Sequence, residues 1–159
     1  MLSEKRASRS ALRVALPQRE WEDLACLDPL WGILSAPSKQ FGKWDMVEFF
    51  ASGNAEIEKL MMSCALSRGD NGKVLDFGCG VGRLSKALVP YFGQVYGVDI
   101  SAEMVKLART QPCCLACASR CAGRCPLRYA SCTCASVSSL MRRIASSSLS
   151  SVFPWAWLP

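Results

Sequence analysis

Three alternating glycines that follow an acidic residue are the most informative pattern in the chain. In the stretch VLDFGCGVGRL, Asp76 closes an apolar run, and Gly78, Gly80 and Gly82 come after it. Glycines at this spacing permit a sharp turn and let a ligand approach bare backbone. A helix that begins at such a turn presents free N–H groups, which favour a carboxylate or a phosphate. The pattern therefore predicts a ligand-binding turn.

A second acidic residue strengthens this prediction. Asp99 lies 23 residues after Asp76 and ends a second apolar run. A carboxylate at that place can accept hydrogen bonds from both hydroxyls of a ribose. The glycines are spaced G-x-G-x-G, with Arg83 where a dinucleotide-binding protein usually has its third glycine. A protein that binds NAD(P) or a flavin is therefore the alternative and not the preferred interpretation.

The elements that must position these residues are strands and helices in alternation. KVLDF and QVYGVD are predicted strands, GRLSKALVPYF is a predicted helix, and Ser101 caps the next one. This order predicts an α/β protein with parallel strands. Upstream, Asp45 and Asn54 predict the starts of two separate helices that part near Gly53. Asp28 before Pro29 predicts a break between two further short helices.

VLDFGCGVGRLSKAL followed by VYGVDISAEMVKLAR resembles the first two motifs of class I S-adenosylmethionine-dependent methyltransferases. The resemblance covers roughly residues 20–110. It implies a Rossmann-like fold, S-adenosylmethionine as the cofactor and an unknown methyl acceptor, with a small molecule favoured. In that family the loop matched by Asp76, Gly78, Gly80 and Gly82 cradles the methionine part of the cofactor, the acid matched by Asp99 holds the ribose, and Ile100 would lie against adenine. Catalytic residues usually come from later strands, so none is named.

Each of these residues also has a purely structural interpretation. The glycines would form a tight turn without a ligand, and Asp99 would only begin the following helix. Asp76 would bond nearby backbone N–H groups, which is compatible with cofactor binding. Cys79 suits the turn as a small residue and needs no chemical role. Arg83 is expected on the surface of its helix.

Charge and composition divide the chain into three parts. Residues 1–44 are a lead-in, 45–110 a partial methyltransferase domain, and 111–159 a Cys/Ser/Arg-rich tail expected to be disordered or irregular and outside the fold. All 13 acidic residues but only 12 of the 19 basic ones lie in 1–103. This division does not indicate a nucleic-acid partner. The abrupt change near residue 111 favours a truncation or a change of reading frame, which leaves the fold incomplete after two β-α units and the chain inactive.

The tail also holds most of the cysteines. Seven of the ten crowd into residues 113–134, four of them spaced C-x2-C-x3-C-x3-C from Cys114 to Cys125. Four thiolates could enclose zinc, but structural zinc sites commonly use two close pairs with a longer spacer. We therefore predict no metal, and a cysteine-rich metal-binding or interaction module stays the alternative. Without an apolar run long enough to span a membrane or a secretory signal, a cytoplasmic, reducing location is expected and no membrane partner.

Overall fold

The computed structural model describes residues 18–69, 71–111 and 125–131. Within them one parallel sheet has three strands in the order β1-β2-β3, namely β1 (Lys73–Phe77), β2 (Gln94–Asp99) and β3 (Leu127–Ser131). Val74 of β1 lies opposite Val95, which in turn lies opposite Leu127. The predicted α/β class and the parallel pairing of the first two strands are confirmed, and the alternation of strands and helices is that of part of a Rossmann-like fold.

Helices pack around the sheet, and several of them precede its first strand in the chain. In chain order they are α1 (18–27), α2 (Pro29–Ile33), a 3-10 turn (Pro37–Lys39), α3 (Met46–Ser63), α4 (Arg83–Leu88) and α5 (Ala102–Thr110). Asp28 separates α1 from α2 with φ −155°, as predicted from the proline that follows it. Its carboxylate accepts hydrogen bonds from the N–H groups of Trp31 and Gly42, so it also caps α2.

The two helices predicted on either side of Gly53 are one continuous helix, α3. Asp45 caps it as expected, but Asn54 lies inside it on the exposed side. Gly53 is buried against α4, where an added Cβ would lie 2.8 Å from the carbonyl oxygen of Arg83. The glycine therefore allows close packing of two helices and does not end one. Burial of the regularly spaced apolar face of α3 outweighs the low helix propensity of Gly53 and Asn54.

Two apolar clusters hold these elements together. The first lies between the sheet, α3 and α4, and its buried members are Ile57, Met61, Val74, Ala87, Leu88, Tyr91, Phe92 and Val95. The second joins α1, α3, the glycine turn and α5 through Ala25, Phe49, Val81 and Met104. Leu30 and Ile33 of α2 pack against the second cluster. The glycine turn is thus enclosed from the N-terminal side as well as from the sheet.

The third strand was not predicted. The expectation that the whole segment 111–159 lies outside the fold is wrong for residues 127–131, which pair with β2 in parallel. The carbonyl oxygen of Tyr129 also accepts a hydrogen bond of 2.8 Å from the Arg109 side chain of α5. LRYAS is short and lacks the β-branched alternation that marks a strand, so only its pairing partner reveals it. For residues 112–124 and 132–159 the predictions lie outside the described residues.

Gly53 provides a test of the α3–α4 packing. We expect Gly53→Ala to lower the free energy of unfolding by about 1 kcal/mol, because overpacking against the Arg83 backbone outweighs the gain in helix propensity. Asn54→Ala is the control: it gives the same helix an alanine at an exposed neighbouring position and is expected to leave stability equal or higher. Urea unfolding monitored by circular dichroism measures both. A more stable Gly53→Ala protein would contradict the close contact.

Candidate cofactor site

The glycine turn has a backbone that few other residues could adopt. Gly78, Gly80 and Gly82 have φ values of 80°, 51° and 82°, all in the left-handed region. The N–H groups of Gly78 and Cys79 donate to the carbonyl oxygen of Val98 at 2.8 and 3.0 Å, which fastens the turn to the end of β2. The three glycines predicted from the sequence therefore form one tight turn between β1 and α4.

Asp99 joins this turn to the start of α5. One of its carboxylate oxygens accepts a hydrogen bond of 2.7 Å from the N–H of Gly80, and the other accepts one of 2.9 Å from the N–H of Ser101. The residue is 8% exposed. A carboxylate offers about four acceptor positions, so two protein donors leave acceptor capacity for hydroxyl groups. The donor–acceptor chemistry fits a ribose, and the structural interpretation of Asp99 as a helix-starting residue holds as well.

Asp76 lies under the turn and faces α4. Its carboxylate accepts a hydrogen bond of 2.5 Å from the hydroxyl of Ser85, and the residue is 4% exposed. Burial raises the pKa of Asp76, and the nearby charge of Asp99 adds to that effect. The hydrogen bonds from Ser85 and the charge of Arg83 act in the opposite direction but do not cancel it. Asp76 thus shares an electrostatic environment with Asp99.

Arg83 does not lie on the helix surface, and that prediction is wrong. The residue is buried, and its guanidinium nitrogens lie 2.7 Å from a carboxylate oxygen of Glu56 and 3.3 Å from the hydroxyl of Ser52. Both partners belong to α3, which covers this side of α4. A guanidinium removed from water needs such partners. Arg83 therefore joins two helices and is not directed to the open side of the turn.

Two side chains that the sequence analysis did not single out lie against the glycines. A Cβ added at Gly80 would lie 2.5 Å from Cδ1 of Ile33, and one added at Gly82 would lie 2.0 Å from the hydroxyl oxygen of Tyr129. Around Gly78, by contrast, an added Cβ would meet nothing within 4 Å. The turn is therefore open at Gly78, closed by α2 at Gly80, and packed against β3 at Gly82. The space on the Cβ side of Gly78 is therefore free among the described residues, whereas that of Gly80 is occupied by Ile33.

Glu22 of α1 is a third residue that the sequence did not indicate. Its carboxylate accepts hydrogen bonds from the hydroxyl of Ser101 (2.9 Å) and from the N–H groups of Ala102 (2.7 Å) and Glu103 (3.0 Å). Partial burial acts to raise the pKa of Glu22, but these hydrogen bonds outweigh it, so the pKa lies below its ordinary value. No local motif marks this role, because the partners are about 80 residues away in sequence.

The remaining candidate residues have smaller parts in the site. Ile100 follows Asp99 directly and is half-buried. Cys79 is buried inside the turn, with its sulfur 3.6 Å from the carbonyl oxygen of Gly80.

Cys125 is the only member of the C-x2-C-x3-C-x3-C pattern among the described residues, and its sulfur accepts a hydrogen bond from the N–H of Leu127. Over 18–69, 71–111 and 125–131 no group of three His, Cys, Asp or Glu side chains is arranged to hold a metal.

A glycine turn between two parallel strands, with the carboxylates of Asp76 and Asp99 beside it, is typical of a cofactor-binding domain. Comparison with known proteins indicates which family of such domains this is. Residues 74–151 match the family model described as a methyltransferase domain. The matched segment, 78 of the 159 residues, is similar to this family, whose cofactor is S-adenosylmethionine. The match continues past residue 110, where the resemblance was expected to stop. No curated protein is significantly similar to the chain.

Solved structures of similar fold are longer than this chain. Phosphoethanolamine N-methyltransferase 1 from Haemonchus contortus, solved with phosphoethanolamine and S-adenosylhomocysteine, matches with 16% identity and a TM-score of 0.51 over 77% of this chain and 22% of its own. Magnesium protoporphyrin IX methyltransferase from Synechocystis PCC 6803, with S-adenosylhomocysteine bound, matches with 20% identity and a TM-score of 0.45 over 75% and 51%. The YcgJ protein from Bacillus subtilis matches with 29% identity and a TM-score of 0.36 over 50% and 30%. The chain thus spans between about a fifth and a half of these proteins.

One further observation concerns membranes. Among the helices that the structure describes, none combines the length and the apolar character needed to cross a bilayer.

The raised pKa of Asp76 predicts how stability depends on pH. When the folded-state pKa exceeds the unfolded value of about 4, the native state binds more protons between the two values, and stability falls as pH rises through that interval. We expect this pH-dependent loss of stability to be absent in Asp76→Asn, because the amide does not titrate. Its oxygen still accepts a hydrogen bond from Ser85. The free energy of unfolding of the variant, relative to wild type, should therefore increase from pH 4 upwards.

Ser85→Ala is the matched comparison for this prediction. It removes a hydrogen bond that lowers the Asp76 pKa, so the loss of stability with rising pH should be larger in total and extend to higher pH than in wild type. Urea titrations at a series of pH values measure all three proteins. A difference between Asp76→Asn and wild type that stays constant with pH would show that Asp76 titrates at the same pH in the folded and unfolded states.

Proposed function

We propose that this chain binds S-adenosylmethionine at the carboxyl edge of β1 and β2 and forms the cofactor-binding part of a methyltransferase. The observation that carries the proposal is the buried Asp99 carboxylate, which links the positive-φ turn at Gly80 to the start of α5. A buried acceptor with unused capacity beside an open glycine suits a nucleoside with two vicinal hydroxyls. The family of residues 74–151 supports the same cofactor.

Each side chain would have a defined part in holding this ligand. Asp99 would accept hydrogen bonds from the ribose hydroxyls, and Ile100, the next residue, would lie against the adenine. The backbone at Gly78 would admit the methionine part, because nothing lies within 4 Å of the position of an added Cβ. Asp76 would support the turn from below through Ser85. When bound, the cofactor supplies a methyl group on a positively charged sulfur, and the protein's contribution is to orient it and exclude water.

The proposal extends to a small-molecule methyl acceptor in the cytoplasm. Residues 1–103 hold 13 acidic and 12 basic side chains, and this near-neutral balance does not favour a polyanionic partner such as a nucleic acid. The seven cysteines between residues 113 and 134 suit a reducing compartment as thiols. Neither the acceptor nor a general base is assigned to a residue, since family members draw both from later strands.

We further propose that this chain by itself does not transfer methyl groups. Its described sheet has three strands, and it covers only 22–51% of the length of the compared enzymes. A truncation or a change of reading frame near residue 111 would account for the change in composition there. The family match to residue 151 and the pairing of β3 with β2 count against a change of frame. Reading the coding DNA in all three frames around codon 110 tests it. A second frame that continues the α/β pattern would support the frame change, and its absence would contradict it.

Binding of S-adenosylhomocysteine tests the cofactor proposal. We expect Asp99→Asn to raise the Kd at least tenfold, or about 1.4 kcal/mol, because the charged acceptor for the ribose is lost. Asp45→Asn is the matched control: it removes the same charge at the start of α3, outside the turn, and keeps a side chain that can cap a helix. Isothermal titration calorimetry measures both, with NAD and FAD as competing ligands. Equal affinity of Asp99→Asn and wild type, or tighter binding of a dinucleotide, would contradict the proposal.

Turnover is the second test. With S-adenosylmethionine labelled in its methyl group and a mixed metabolite extract as acceptor, we expect no transfer above a blank without protein. The same sample should bind S-adenosylhomocysteine, which separates missing catalytic residues from missing cofactor binding. Labelled small-molecule product from a homogeneous preparation would refute the proposed inactivity and support the small-molecule acceptor.

A further inference from the structure

One row of paired residues crosses the three strands below the glycine turn. The register of the sheet places Asp76 of β1 opposite Gly97 of β2, and Gly97 opposite Tyr129 of β3. Side chains at paired positions of neighbouring strands lie on the same face of a sheet. Tyr129 therefore shares a face with Asp76, and only a glycine separates them in the row. Because glycine has no side chain, the Tyr129 ring can extend across β2 towards β1.

The Tyr129 side chain fills the space that two glycines leave free. A Cβ added at Gly97 would lie 2.5 Å from Cδ1 and 2.7 Å from Cε1 of the Tyr129 ring. A Cβ added at Gly82 would overlap the Tyr129 hydroxyl oxygen, which is buried, and would lie 2.8 Å from Cζ. Gly82 ends the turn at a φ of 82° and caps α4. Tyr129 thus supports the turn at the point where the helix begins.

The same ring borders the hydrogen-bonded pair of Asp76 and Ser85. The Ser85 hydroxyl, which donates to the Asp76 carboxylate at 2.5 Å, lies 3.0 Å from the Cβ position at Gly97. Because the Tyr129 ring approaches that position equally closely, ring and hydroxyl are neighbours on this face of the sheet. Asp76 is only 4% exposed. The ring is therefore placed to keep water away from the pair on the side of β3.

Exclusion of water at this place has a measurable consequence. Burial is the largest cause of the raised pKa of Asp76, and the charge of Asp99 at the end of β2 acts in the same direction. From α4, the hydrogen bonds of Ser85 and the charge of Arg83 act to lower it. A smaller side chain in place of Tyr129 would admit water beside the carboxylate and leave these charged neighbours unchanged.

We propose that Tyr129 is a positioning residue of the cofactor site, which supports the glycine turn at Gly82 and closes the Asp76–Ser85 pair below it. It acts through the backbone of the turn and through Ser85, not by contact with the ligand. A turn of positive-φ glycines without this support would adopt its binding conformation for a smaller fraction of the time, which weakens the apparent affinity. The effect on affinity rests on the proposed function, whereas the closure of the pair is measurable without a ligand.

The titration of Asp76 in the ligand-free chain, followed by carbon-13 NMR of its carboxyl group, tests the closure. Tyr129→Val shortens the side chain but keeps a residue that favours strands. We expect it to lower the Asp76 pKa by about half a unit or more, because water reaches the carboxylate. Tyr129→Phe retains the ring and should keep the wild-type pKa. Tyr96→Val is the matched control, because Tyr96 packs with Leu75 and Val98 on the other face of the sheet. An unchanged Asp76 pKa in Tyr129→Val would overturn the closure.

Calorimetric binding of S-adenosylhomocysteine tests the positioning role. We expect Tyr129→Val to raise the Kd about fivefold or more, and Tyr129→Phe to stay within about twofold of wild type, because only the shorter side chain leaves the turn unsupported. Tyr96→Val should bind as wild type does. Tyr129→Leu, which keeps more of the apolar volume, replaces Tyr129→Val if that variant does not fold, with a change in the same direction.

The outcomes separate this role from the proposed function. A wild-type Kd in a folded Tyr129→Val or Tyr129→Leu protein would overturn the positioning role and leave the proposed function intact. A wild-type chain that binds no S-adenosylhomocysteine would contradict the proposed function and the positioning role together. In that case a lower Asp76 pKa in Tyr129→Val would still support the closure of the Asp76–Ser85 pair.

Discussion

The hydrogen bond from the Gly80 N–H to the Asp99 carboxylate is the interaction on which the rest of the site depends. It requires that β1 and β2 run parallel, because only then do the turn after β1 and the end of β2 meet at one edge of the sheet. It requires a positive φ at Gly80, which directs the N–H towards β2. The second Asp99 oxygen accepts from Ser101, so one buried carboxylate fixes the turn and the start of α5 together.

A buried charge of this kind restricts its neighbours. Asp76 lies close enough for the Asp99 charge to raise its pKa, and the Ser85 hydroxyl is placed where it satisfies the Asp76 carboxylate. Arg83 pairs with Glu56, and its charge acts to lower the pKa of Asp76, against the effects of burial and of Asp99.

Helix α2 and strand β3 contact the turn from two sides. Ile33 lies against Gly80 and Tyr129 against Gly82, so the glycines provide room for side chains of the same chain. Among the described strands β1 pairs with β2 alone, and its other edge has no neighbour there.

Much of the fold followed from local signals. The bounds of β1 and β2, the Ser101 cap of α5 and the break at Asp28 depend on residues next to one another in sequence, and the structure confirms them. The continuity of α3 through Gly53, the burial of Arg83 and the pairing of β3 were missed, because each depends on a partner from another element. The sequence by itself determined the turn and its two acids, through glycine's freedom at positive φ and the strand-helix order. Only the tertiary structure decided that Glu22 and Ile33 close over them, since hydrogen bonds and contacts between residues about 50 to 80 positions apart leave no local pattern.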